Sequence, residues 1–216
     1  MERPRLLILG AGGHGRAVLA TLRDAGWPEP AGVLDDTPGA TLPGLRWLGP
    51  LARAATLRAE GLGAAHVALG ANARRRQLGE DLLALGYALP PILHPSAILA
   101  ADAVLGAGGV AMPRVVLGAA ARMGPHGILN TASVVEHDCL LGPACHIAPG
   151  AVLGGGVTLG EGVLVGIGAA IRPGLRLGHG ATVALGAAVV SDVPDGEMVG
   201  GVPARVLRGR RERLGE

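Results

Sequence analysis

The sequence predicts two folded parts, a Rossmann-like α/β unit over residues 1–90 and an all-β parallel β-helix of hexapeptide repeats over 91–216. Three observations predict it. From Leu93 to Val189 every sixth residue is Leu, Ile, Val or Met, with Ala111 the one exception. The aromatic residues Trp27, Trp47 and Tyr87 all precede residue 88 and Phe is absent, so the remainder packs without rings. Near the start, an apolar run from Arg5 to Leu9 leads directly into Gly10-Ala11-Gly12-Gly13-His14-Gly15, the pattern of a strand turning into a helix around a phosphate.

In the first part, the strand Arg5 to Leu9 is followed by an amphipathic stretch from Arg16 to Ala25, and a second strand from Ala31 to Leu34 ends in Asp35-Asp36. A helix from about Leu51 to Glu60, a strand His66 to Leu69 and a helix from about Ala73 to Leu85 complete an alternating unit of three to four parallel strands. Gly10, Gly12 and Gly15 fit the GxGxxG spacing, which lets backbone N–H groups approach a pyrophosphate. Asp35 is suitably spaced to hold the ribose of NAD, but only one mononucleotide-sized half is present and no domain for hydride chemistry follows. A nucleoside diphosphate on that turn, held further by Asp35 and Asp36, is the better reading. His14 is either a phosphate contact or an exposed turn residue.

In the second part the hexads, counted from Leu93, put large apolar residues in the first slot and small ones in the fifth, among them Ala97, Ala103, Ser133, Cys139, Cys145 and Ala181. Strand side chains alternate, so both slots face inward. The third slot holds Pro95, Pro113, Pro125, Pro143, Pro149 and Pro173, and the fourth holds glycine from Gly108 through Gly186 at many levels. Pro followed by a residue tolerating positive φ is what a type II turn requires. A chain that turns every six residues forms a prism whose units bury their faces only by stacking.

Composition excludes several classes. A net charge of +2 with scattered basic residues does not make a nucleic-acid surface. The clusters Arg74 to Arg76 and Arg205 to Arg213 lack interleaved aromatics and read as solvated helix faces. Leu6 to Leu9 is too short for a signal peptide, no run approaches a membrane span, and the two cysteines, Cys139 and Cys145, form no disulfide framework. A cytoplasmic chain is expected. His126, His137 and His146 invite a zinc site, but they fall in the fourth, third and sixth slots and point in different directions, so no metal is expected.

The repeat resembles that of the bacterial hexapeptide-repeat acyltransferases, whose fold is a left-handed β-helix with three hexads per coil. Four segments occur together and in order: GAGGHG at 10–15, LDD at 34–36, LNTASVVEHDCLLGPACHIAPGAVLGGGVTLGEG at 129–162 and GVPARVL at 201–207. With them the whole chain resembles the bacterial sugar acetyltransferases that include sialic acid O-acetyltransferases and UDP-amino-sugar N-acetyltransferases. The resemblance implies a homotrimer that uses acetyl-CoA as cosubstrate. It assigns the general base to His137 with Asp138 supporting it, and the nucleotide of the sugar to Gly10, Gly12, Gly13, His14, Asp35 and Asp36. It gives Asn130, His146, Gly155, Ile167, Val202, Pro203, Ala204 and Arg205 to acetyl-CoA.

The residues support part of this on their own. His137 sits in a third slot, and the same slot holds Ala119 one coil earlier and Gly155 one coil later, which leaves room beside the imidazole. A neutral imidazole there can take the proton of an amine or hydroxyl attacking a thioester. His179 occupies a third slot with no motif around it, and Asp138 occupies a fourth slot that favours Asp for backbone reasons alone; corner geometry by itself leaves both roles open, with Glu136 a substitute for Asp138. A helix cap is the competing reading of 202–205. The expected reaction is acetyl transfer to the amino group of a nucleotide-linked deoxy-sugar, with O-acetylation of sialic acid or a similar sugar second. A zinc-dependent hydratase and a non-catalytic scaffold are the readings from other classes.

Overall fold

The computed structural model describes residues 3–207. Its N-terminal part is a four-stranded, all-parallel sheet of β1 (Leu6–Leu9), β2 (Gly32–Leu34), β3 (Trp47–Gly49) and β4 (Ala64–Val67) in the order β3-β2-β1-β4. Helix α1 (Gly13–Asp24) follows β1, a 3₁₀ turn (Leu51–Arg53) and α2 (Ala54–Ala59) follow β3, and α3 (Asn72–Ala84) follows β4. Strand β3 is absent from the sequence reading because three residues are too few to display alternation. It is held by its ends, with the Trp47 indole N–H donating to the Asp35 carbonyl at 2.9 Å. Strand β4 begins two residues earlier than expected, since Ala64 and Ala65 carry little strand propensity yet are buried against β1.

The remainder is a left-handed β-helix. Strands of two residues occupy the sixth and first slots, and each pairs in parallel with the strand eighteen residues away, as Ile98 with Val116 and Val134 with Val152. This register makes three faces. Face I comprises Ile92–Leu93, Val110–Ala111, Ile128–Leu129, His146–Ile147, Leu164–Val165 and Thr182–Val183, and ends in the hairpin Met198–Gly200 with Arg205–Val206. Face II comprises Ile98–Leu99, Val116–Leu117, Val134–Val135, Val152–Leu153, Ala170–Ile171 and Ala188–Val189. Face III comprises Val104–Leu105, Arg122–Met123, Leu140–Leu141, Thr158–Leu159 and Arg176–Leu177.

The corners are the turns expected from the third and fourth slots. The fifth-slot N–H bonds back to the second-slot carbonyl, as Ala97 to His94 at 2.9 Å, and the fourth slot has positive φ even where it is not glycine, at Arg114, Ala120, His126, Ala132, Asp138 and Ala144. First- and fifth-slot residues from Val115 to Val189 are buried. The first coil differs. Leu93 is 38% exposed, and Leu99 and Leu105 are only partly covered, because no coil lies beneath them.

The apolar core runs without a break from the N-terminal sheet into face I. Leu6, Ile8, Val18, Leu19 and Leu22 share one cluster with Ile92, Val110, Met112 and Ile128, so the sixth-slot residues of face I, which point away from the prism, are covered by the N-terminal part. Face II carries an equally apolar outer row, Ile98, Val116, Val134, Val152, Ala170 and Ala188, with no element of the described residues packed over it: Ile98 is 66% and Val152 41% exposed.

Two expectations for the basic clusters are corrected. Arg75 is 1% exposed, while Arg74 is exposed and Arg76 pairs with Glu161 at 2.8 Å; a solvated face describes only Arg74. At the other cluster, Arg205–Val206 is a strand antiparallel to Met198–Gly200, which also replaces the helix cap considered for 202–205. The rest of that cluster lies outside the described residues. No helix among the described residues is long and apolar enough to cross a membrane.

Leu129, fully buried in the prism, tests the stacking. Leu129→Ala is expected to lower stability by about 2–5 kcal/mol, read as a reduced urea midpoint with an unchanged far-UV spectrum.

Candidate active site

Chain order brings the second-slot residue Asn130 to the corner between faces I and II, puts His137 at the corner between II and III, and returns to face I at His146. Stacking bonds fix the levels. The Asp138 N–H donates to the Ala119 carbonyl and the Gly156 N–H to the His137 carbonyl, so Ala119, His137, Gly155 and Pro173 form one column. Thr131, Pro149, Ile167 and Leu185 form the column at the I–II corner, through Gly150 to Thr131, Gly168 to Pro149 and Gly186 to Ile167. The structure therefore groups Asn130 and His146 on one side of the prism and sets His137 and Asp138 apart from them.

His137 projects from its corner with 64% of its side chain exposed. Its Nδ1 lies 2.8 Å from Asp138 Oδ2, and a neutral imidazole bonded to the carboxylate in this way carries its proton on Nδ1 and leaves Nε2 as an open lone pair. The ring lies over Gly155. A Cβ at 155 would stand 2.5 Å from His137 Nε2, so glycine there is what admits the ring. The Gly155 N–H has no acceptor among the described residues. Glu136 is exposed at the same corner and makes no side-chain hydrogen bond among the described residues.

The I–II corner presents an apolar column. Ile167 is 60% exposed, Leu185 directly above it 77%, and Val202, in the turn that ends face I, 76%. Leu185 was missed in the sequence, although it stands eighteen residues after Ile167. Pro203 is exposed beside Val202, Ala204 is buried with its N–H on the Ala188 carbonyl, and Arg205 donates through Nη1 to the Ala204 carbonyl at 2.8 Å.

In the N-terminal part, Gly10 has φ of 107° and a Cβ there would meet the Ala68 carbonyl at 2.9 Å, while a Cβ at Gly15 would stand 2.4 Å from the Gly10 carbonyl oxygen. These two glycines serve the turn and the helix-to-strand contact. Gly12 and Gly13 border open space. Gly12 caps α1 without a side-chain bond and no acid lies in the first turn, so the positive helix end faces outward uncompensated. Asp35 accepts from the Ala11 N–H and the Thr37 N–H, both at 2.8 Å; burial would raise its carboxyl, but these donors prevail and hold it below the usual range. Asp36 accepts from the Leu51 N–H at 2.9 Å.

His14 leans from α1 toward face I, its ring centroid 6.4 Å from that of His146. Around them lies a buried polar junction that the sequence reading did not find: His66 on β4, which is 1% exposed with neither ring nitrogen bonded, Arg75 and His126. Burial, with Arg75 adding to it, pushes His14 down to about 4 and His146 to about 3, and burial with His14, Arg75 and His126 pushes His66 to about 3. All three are neutral imidazoles at neutral pH. Burial also pushes Cys145 up to about 12 and raises Cys139, so neither thiol is available as a nucleophile. Among the described residues no group of three or more His, Cys, Asp or Glu could hold a metal ion.

Residues 5–82 match the PglD N-terminal domain family. Over 94% of this chain and 97% of the other, the structure superposes on PerB from Caulobacter crescentus in complex with CoA and GDP-perosamine, with 37% identity and a TM-score of 0.91. The chain belongs to the hexapeptide-repeat sugar acetyltransferases. It is therefore an acyltransferase. The acetyltransferase domain of PglB from Neisseria gonorrhoeae FA1090, in complex with acetyl coenzyme A, is 38% identical over 95% of this chain and 100% of that one, with a TM-score of 0.90. WeeI from Acinetobacter baumannii AYE is 26% identical over 94% and 99%, with a TM-score of 0.80. No curated protein sequence matches the chain.

The three neutral histidines give a pH signature. Each has a folded pKa below the unfolded value of 6.5, so the unfolded chain takes up protons first as pH falls. Stability is full above about pH 6.5 and declines toward pH 4, each residue contributing up to about 1.4 kcal/mol per pH unit. Thermal melts across this range should show the decline, and His66→Leu should make it shallower.

Proposed function

We propose that this acyltransferase moves the acetyl group of acetyl-CoA to the amino group of a nucleotide-linked amino-deoxy-sugar, with His137 as general base, in a cytoplasmic homotrimer whose active sites lie between subunits. The observation that carries the reading is the His137 ring, tied to Asp138 through Nδ1 and seated over Gly155 with Nε2 open. In the proposed step Nε2 removes the amine proton as nitrogen attacks the thioester carbonyl. The developing oxyanion is received by the Gly155 N–H. Collapse of the adduct breaks the carbon–sulfur bond, and the imidazolium returns the proton to the thiolate, so no covalent enzyme intermediate is needed. This agrees with the buried, protonated state of both thiols.

The positions of the two halves support the trimer. Face II separates the I–II corner, with Asn130, Ile167, Leu185 and Val202, from the II–III corner with His137. Three copies meeting through the uncovered aliphatic row of face II would bring the I–II corner of one against the II–III corner of the next. From Thr131 to Val202 the column climbs four coils, about 19 Å; an extended pantetheine arm along it, with Pro203, Ala204 and Arg205 at its far end, would put the thioester at the level of Asn130 and His137. The nucleotide diphosphate is assigned to Gly10, Gly12, Gly13 and His14 at the bare end of α1, with Asp35 and Asp36 fixing the turn around it. A nucleotide-linked amino sugar is favoured because the perosamine N-acetyltransferase of Caulobacter crescentus, among the solved relatives, carries CoA together with GDP-perosamine.

His137→Ala removes the base and no core packing. Thiol release from acetyl-CoA, followed with UDP-, GDP- and dTDP-linked amino sugars and with free sialic acid as acceptors, should fall by about two to four orders of magnitude in kcat, with sedimentation unchanged. Turnover near wild type would reject His137 as base, and activity on sialic acid alone would reject the acceptor.

A further inference from the structure

We infer that Arg75 is a positioning residue for the acetyl-CoA half of the site, acting through Ala144, His146 and Asn130. The inference rests on the assignment of Asn130 to the acetyl-CoA side made above. Arg75 begins as an anomaly, a guanidinium 1% exposed with no carboxylate beside it among the described residues. A buried cation is tolerated only where its donors are satisfied, and here all five are. Nε donates to the His126 carbonyl at 2.8 Å, Nη1 to the Leu69 and Gly70 carbonyls at 3.0 Å each, and Nη2 to Asn72 Oδ1 and the Ala144 carbonyl at 2.8 Å each. His126 and Ala144 are equivalent fourth-slot positions of consecutive coils. One planar fork therefore clamps two coils of the prism to the loop that follows β4.

The clamped coil carries the donor half. The Ala144 carbonyl that accepts from Nη2 stands two residues before His146. One coil earlier, the Thr131 N–H donates to Asn130 Oδ1 at 2.8 Å, which fixes the amide so that Nδ2 faces His146 Nε2 at 3.1 Å. Nδ2 is the donor, so Nε2 accepts and the imidazole proton is on Nδ1. Arg75, Ala144, His146 and Asn130 thus form one relay from α3 to the I–II corner, and the amide at its end has a second N–H left for a ligand. Lys could supply the charge but only three donors on a flexible stem, and could not hold two coils and a loop at once.

The test uses the full-length enzyme. Imidazole ¹⁵N shifts, with His146 assigned through His146→Gln, should show wild-type His146 protonated on Nδ1 and bare on Nε2. Calorimetry should show that Arg75→Lys weakens acetyl-CoA binding about tenfold, while the Kd of the nucleotide sugar changes less than about twofold. A His146 proton on Nε2 in the wild type would overturn the inference whether or not the variant folds. So would an Arg75→Lys enzyme with unchanged acetyl-CoA affinity, or one that loses both ligands equally. Failure of the wild type to bind acetyl-CoA would instead reject the functional reading on which the inference stands.

Discussion

The eighteen-residue coil is the constraint from which the rest of the site follows. Positions eighteen apart stack in a column, and positions six apart sit on different faces, so two residues seven or nine apart cannot share a corner. Asn130 and His146 are that far from His137, and the prism separates them however they rotate. A single copy therefore carries His137 and Asp138 at one corner and Asn130, Ile167 and Leu185 at another. The aliphatic outer row of face II lies between them, with the character of a contact surface and no partner among the described residues.

The other half of the design is the junction between the N-terminal sheet and face I. It combines a continuous apolar core with a polar centre in which burial, with one fully bonded guanidinium adding to it, holds neighbouring imidazoles neutral. A neutral His146 can accept from Asn130, and a neutral His14 adds no competing charge beside the bare end of α1. The cation supplies its electrostatic effect through burial and the neutral groups supply orientation.

The repeat made the prism legible in the sequence. Its first-slot aliphatics, corner prolines and glycines state the turn chemistry one hexad at a time, and the non-glycine fourth slots from Arg114 to Ala144, Asp138 among them, adopt the positive φ that the pattern demands. The glycine turn and α1 were legible for the same local reason. What was not legible depends on contacts between distant segments. Arg75 reads as one of three surface arginines until α3 is laid against the coils at His126 and Ala144. His66 reads as part of an ordinary strand, β3 is too short to announce itself, and Leu185 acquires meaning only once it stands above Ile167. His146 points out of the prism, yet the N-terminal part covers it.

Hybrid trimers test the central claim, a site completed by a second copy, most directly. His137→Ala damages only the II–III corner and Ile167→Glu only the I–II corner. If the site is shared, co-expression of these two inactive chains should restore about a quarter of wild-type turnover, since one in four random neighbour pairs joins two intact halves. Mixed trimers, verified by tagged purification, that remain as inactive as their parents would place the whole reaction within one chain and contradict the account.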